Sequence, residues 1–138
     1  HDRVNSRNLL KRKSFHLPSY DCEICQHSTE ETTLHLFWDC DFAQDCWNSI
    51  LGQRRRGISI FDEIILLSEA FPPNIAMEIL IMGCWNIWMQ CNGKIFNAQT
   101  PSIQAWRRAL KADLLHLQHR IKDKFKPLLV NWTEQFLN

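Results

Sequence analysis

Hydrophobic positions recur at spacings of 3, 4, 4, 3, 4 and 4 from Ile103 through Trp106, Leu110, Leu114, Leu117 and Ile121 to Phe125. That rhythm keeps apolar side chains on one face of an α-helix and predicts a long amphipathic helix over about residues 101–126. Thr100 as N-cap and Pro101 at the first helical position supply its start, and Pro127 its stop. Upstream, IAMEILIMGCWNIWM from Ile75 to Met89 is the most apolar stretch of the chain. It predicts a buried helix over about residues 73–91, opened by Pro72-Pro73, with Asn92-Gly93 marking its end or a kink. A membrane span requires about twenty apolar residues; this run is shorter and holds Glu78, Gly83 and Asn86, so no membrane partner is expected. The amphipathic stripe is expected to cover this apolar helix, with a coiled-coil or partner face as the other reading.

The same pattern continues in shorter pieces. Ser59 caps a helix to about Ala70, with Ile60, Phe61, Ile64, Ile65 and Leu67 apolar. Asp41 reads as an N-cap ahead of Phe42, Cys46, Trp47 and Ile50 on one face. Ser28 followed by Glu31 is a capping-box signature for a short helix carrying His35. Residues 4–13 predict another short helix, and Leu128, Leu129, Trp132 and Phe136 a final one. Gly52 and Gly57 bracket a loop. The fold class that results is mostly α. It comprises a small zinc-stapled knuckle-plus-helix module at 1–53 and a helical extension at 54–138, with five to seven helices and little or no sheet.

The zinc staple is read from Asp21 to Trp47. Cys22, Cys25, His35 and Cys40 form C-x2-C-x9-H-x4-C, three thiols and an imidazole within nineteen residues. A Cys-x2-Cys pair turns the chain so that two sulfurs reach one ion, and a second pair closes the tetrahedron that Zn2+ takes from Cys and His. All four positions are protein, so the site is structural rather than catalytic. Leu34, Leu36, Phe37 and Trp38 surround His35 with apolar side chains. Cys46 competes in principle as the fourth ligand, but it shares the apolar face with Trp47 and reads as core. Six cysteines could also form disulfides in a secreted domain, and Asn131-Trp132-Thr133 is a formal glycosylation sequon. No signal peptide is visible, however, and Cys84 and Cys91 lie in the apolar helix as buried thiols do.

These residues resemble a known family. C-E-I-C, then E-E-T-T-L-H-L-F-W-D-C and the trailing C-W, look like the zinc-binding domain that follows the reverse transcriptase in plant LINE-type (non-LTR) retroelements. The matching positions are Cys22, Cys25, Glu31, His35, Leu36, Phe37, Cys40 and Trp47. VNSRNLLKRK from Val4 to Lys13 is similar to the family's N-terminal segment. IWMQCNGKIFNAQTP from Ile87 to Pro101 resembles its IW-x-x-RN-x-x-IF segment, with Cys91 where the family usually has Arg. The resemblance covers residues 4–50 and 85–100. It implies a Zn2+ cofactor, a parent polypeptide that is an RNA-directed DNA polymerase, an intracellular and nuclear setting, and a role in binding template RNA or target DNA.

Charge limits where nucleic acid would bind. The net charge is +1, but its distribution is uneven. Residues 1–20 carry +4, residues 21–53 carry −7, Arg54–Arg56 carry +3, residues 57–91 carry −4 and residues 92–138 carry +5. The zinc module therefore repels phosphate on balance. The candidate contacts are Arg7, Lys11, Arg12, Lys13, Arg54, Arg55 and Arg56, with Trp38 and Phe37 as base-stacking aromatics. The plainer reading makes the charges solvated faces and the aromatics local core. His116 and His119, three apart without a carboxylate or Cys nearby, read as solvated. No Gly-rich phosphate loop, G-x-S-x-G, H-E-x-x-H, paired carboxylates or adjacent-aspartate palm motif is present, so the chain is not expected to be an enzyme by itself. It opens on His1 rather than Met and is expected to be part of a longer polypeptide. Within that polypeptide, the alternative role is a protein-docking module that uses zinc only to fold.

Overall fold

The computed structural model describes residues 35–52 and 59–138. Among these every regular element is helical, as the hydrophobic periodicity requires. A π-helical turn, His35–Asp39, leads into α1, Asp41–Leu51. Phe42, Ala43, Cys46, Trp47 and Ile50 fall three and four apart on the buried face of α1. Cys40, not Asp41, is the N-cap; Asp41 opens the first turn, where the helix macrodipole favours a carboxylate. Gly52 ends the helix at φ 70°, a backbone conformation that favours glycine.

Helix α2, Ile60–Ala70, starts as its sequence foretold: the Ser59 hydroxyl accepts the Asp62 amide at 3.2 Å. Its apolar residues do not all turn inward. Leu67 is buried, whereas Phe61 and Ile65 are more than half exposed. Pro72-Pro73 forms the corner before α3, Ala76–Asn97, but the helix begins after the prolines, with the Ile75 amide donating to Pro72 O.

At its other end α3 runs through Asn92-Gly93 rather than stopping there. The chain folds back over Gly93: its carbonyl collects the capping amides of Ala98 and Gln99, and a Cβ there would come within 2.9 Å of Gln99 Oε1. Ala98 takes the left-handed conformation, φ 55°, at a position where glycine is usual. Replacing Ala98 with Gly is expected to raise stability by about 0.5–1 kcal/mol, the steric penalty relieved less the unfolded-state entropy added. Urea titration followed by circular dichroism checks this.

The long amphipathic helix expected over 101–126 is two elements. Helix α4 is Ile103–Leu117, capped by Ser102, whose hydroxyl accepts the Ala105 amide at 3.1 Å. Thr100 and Pro101 precede the cap. After Leu117 the chain turns, passes through a short 3-10 segment at Asp123–Phe125, and restarts as α5, Lys126–Phe136, with Pro127 in its first turn. The physical cause of the split is packing: reversing the chain returns Leu129 and Trp132 to the core, which a straight helix would carry away from it. Pro127 fixes only the start of α5, where its missing amide is tolerated in the first turn.

Helix α4 covers α3 with Trp106, Leu110 and Leu114, as the stripe implied. The core they share is a chain of aromatic rings. Trp47 stacks on Trp38 at 5.7 Å, meets Trp106 edge-on at 5.6 Å and lies 6.3 Å from Phe71. Phe71 then meets Trp132 at 5.7 Å. Residues on both sides of the boundary expected between 53 and 54 therefore share one core. Polar clamps fix the helices in place: Asn86 Nδ2 donates to Asp113 Oδ2 at 2.8 Å, joining α3 to α4. Arg107 donates from α4 to the carbonyls of Ser49 and Phe136, joining α1 and α5. Among the described residues no helix is long and apolar enough to cross a membrane.

Candidate metal centre

His35 and Cys40 stand at the two ends of one helical turn. The Cys40 amide donates to the His35 carbonyl at 2.7 Å, an i+5 closure that draws the two residues together. Single π-turns of this kind occur frequently at functional sites. Both residues are buried, His35 at 6% and Cys40 at 1% exposure. Leu36, Phe37 and Trp38, between them, are buried as well, three of the four apolar residues expected to shield His35; Leu34, the fourth, lies outside the described residues.

Three further bonds hold the turn against α1. Trp47 Nε1 donates to Phe37 O at 2.9 Å, Gln44 Nε2 donates to Asp39 O at 2.7 Å, and the Gln44 amide donates to Cys40 O at 2.9 Å. In the sequence Trp47 reads only as an apolar residue of the family pattern. Its indole also serves as a bracket beneath the turn, and Gln44 is a second bracket that no motif signals. The one clue is position: each lies within the first two turns of the helix that follows Cys40.

The chemistry of the donors fits zinc. A thiol and an imidazole five residues apart on one fixed turn supply half of a tetrahedral set. Cys40 is the N-cap of α1, where the macrodipole favours the negative charge that a ligating thiolate carries. Cys46 lies in the core on the apolar face of α1 beside Trp47, as the sequence indicated. Burial, with a smaller contribution from Asp45, pushes its thiol above the usual cysteine range. Cys84 is half-buried with its thiol raised by burial, and Cys91 is buried.

Cys22 and Cys25, the other two candidate ligands, lie outside the described residues, as do Glu31, Arg7, Lys11, Arg12, Lys13, Arg54, Arg55 and Arg56. Among the described residues no three His, Cys, Asp or Glu side chains gather in a metal-holding group. Only two of the four predicted ligands fall within that range. The rings of His116 and His119 meet at 5.9 Å near the end of α4, without a third such ligand among the described residues.

Trp38 requires a correction. As a base-stacking residue it would present a ring face to solvent, yet it is 2% exposed, stacked on Trp47 and met edge-on by Phe37. Phe37 is buried too. Both aromatics belong to the core under the turn, where large rings contribute through the area they bury. No family model, curated protein or solved structure matches the chain.

Proposed function

We propose that the chain is the structural zinc-binding part of a LINE-type reverse-transcriptase polypeptide. It is not catalytic, and it helps hold template RNA or target DNA for the polymerase of the parent polypeptide. The observation that carries the metal half of this reading is the buried turn that joins His35 to Cys40 on the tryptophan core. Cys22 and Cys25 complete the set. Zinc bound there supplies the crosslink that ties the Cys22–Cys25 pair to the turn and, through it, to the core that α1 shares with the later helices. The nucleic-acid half rests on the resemblance over residues 4–50 and on the basic runs that flank the acidic module. In this reading the protein works in the nucleus.

The test is binding of labelled single-stranded RNA and duplex DNA across a salt series, with Lys11, Arg12, Lys13 and Arg54–Arg56 changed together to alanine. The expected result is at least tenfold weaker binding and a flatter salt dependence, because each phosphate contact contributes roughly 0.7–0.9 to the slope of log K against log salt. Unchanged binding would remove the nucleic-acid role and leave the metal site standing.

A second reading, a protein-docking module that uses zinc only to fold, has two observations in its favour. The aromatics beside the site are core, and Arg107 in the basic C-terminal region is committed to the carbonyls of Ser49 and Phe136.

A further inference from the structure

Helix α3 is apolar on the face that points away from the core as well as on the face that enters it. Ile79, Leu80, Ile87 and Cys91 are buried, while Met77, Ile81, Trp85 and Met89 are each about half exposed and Phe96 is 76% exposed. Trp88 is half-buried beside Trp85, ring to ring at 5.1 Å. A helix that is hydrophobic all round is normally enclosed on all sides. Between Ala76 and Gly93 the helix carries a single charged residue, Glu78, at the N-terminal end of this outer stripe.

We infer that the outer face of α3 pairs with the same face of a second copy of this chain. Met77, Ile81, Trp85 and Met89 are spaced by four, so they form the i±4 ridge that packs into the matching groove of an identical helix. A two-fold pair of this kind uses one patch twice and requires only self-complementarity. Charge permits it: two uncharged ridges meet without repulsion, and an antiparallel crossing near Trp85 and Trp88 sends the two Glu78 side chains to opposite ends.

Area permits it too. At these exposures each of the four ridge side chains offers on the order of 100 Å2, so two ridges together bury on the order of 800 Å2, and somewhat more where Trp88 joins them, the size of a weak, transient pair. The paired Trp85 and Trp88 rings stand near its centre, where binding energy concentrates in aromatic anchors. A lipid surface fits less well, because membrane-lying helices carry Lys and Arg along their rim and this face is bordered by Glu78 and Asn92.

The test is sedimentation equilibrium of the full chain between roughly 1 μM and 1 mM, the range of weak pair affinities. The wild type is compared with an Ile81→Lys/Trp85→Glu double variant and with Phe61→Lys, an exposed apolar site on α2. The expected result is a wild-type mass that rises from 16.4 kDa towards twice that value. Association should weaken at least tenfold in the double variant with helix content unchanged, and remain as in wild type for Phe61→Lys. A wild type that stays monomeric throughout overturns the inference, and so does a double variant that associates as the wild type does. Vesicle binding by a monomeric wild type would assign the face to lipid instead.

Discussion

Alanine at Gly83 is expected to destabilise the protein by about 3 kcal/mol, where the same change in an exposed helix would stabilise it by about 1 kcal/mol. The sign reverses because of one neighbour. A Cβ added at Gly83 would lie 2.4 Å from Trp47 Cη2 and 2.9 Å from its Cζ3. Trp47 has nowhere to retreat: it is fully buried, bonded to Phe37 O, stacked on Trp38 and abutted by Trp106. Helix α3 is equally constrained, since Trp106 Nε1 donates to the Gly83 carbonyl at 3.0 Å. The overpacking must therefore break the bond beneath the His35–Cys40 turn or push α3 away from α4. Urea unfolding followed by circular dichroism measures the loss, expected to lower Tm by about 10 °C. Combining Gly83→Ala with Trp47→Phe, which shortens the obstructing ring, is expected to recover part of the cost of the two changes summed. A neutral or stabilising Gly83→Ala would mean that Trp47 does not rest on α3.

Cys40→Ala and Cys46→Ala are expected to behave in opposite ways, although each removes a buried thiol and the two lie only six residues apart. Cys40→Ala should lose the bound zinc and, with it, helix content and the ordered environment of Trp38 and Trp47. Cys46→Ala should keep the metal and cost about 1 kcal/mol in packing. The gap between them is large because the binding free energy of a structural zinc, about 10–16 kcal/mol in small modules, is realised as folding free energy. Chelation of the wild type should reproduce the Cys40→Ala spectrum. Metal content by atomic absorption, tryptophan emission and far-ultraviolet circular dichroism, on protein purified under reducing conditions, decide the matter. One zinc in the wild type and in Cys46→Ala, with none in Cys40→Ala, supports the ligand set. Equal loss in both variants, or no metal in the wild type, removes it and leaves the turn held by Trp47 and Gln44 alone.

The sequence offers all four candidate ligands, of which His35 and Cys40 lie among the described residues. The H-x4-C spacing sets these two at the ends of one turn, and the clustering of apolar residues around His35 foretells their burial. What spacing does not convey is the manner of support. The bonds from Trp47 and Gln44 to the turn depend on how α1 folds back beneath it, and the burial of Trp38 depends on Trp47 arriving at its face. An aromatic next to a ligand has the same local signature whether it faces a base or a core.

The chain's periodicity by itself determined that the described residues are helical and that Ser59 starts a helix, and it favoured the Trp106–Leu114 stripe as the cover of residues 75–89. These follow from side-chain spacing and capping chemistry, which act over a few residues. The buried helix expected over about residues 73–91 is buried on one face only, since Met77, Ile81, Trp85 and Met89 stay about half exposed. Tertiary structure alone decided that the expected 101–126 helix breaks after Leu117, that Ser102 rather than Thr100 caps it, and that α3 passes through Gly93. It also decided that Phe61, Ile65 and the Met77–Met89 ridge remain outside while Trp38 goes inside. The burial outcomes turn on which apolar groups a core of limited volume can hold, and the helix ends on which caps the packed chain can form. That competition is settled between distant segments, with Trp47, Phe71, Trp106 and Trp132 filling the space that the exposed residues would otherwise have claimed.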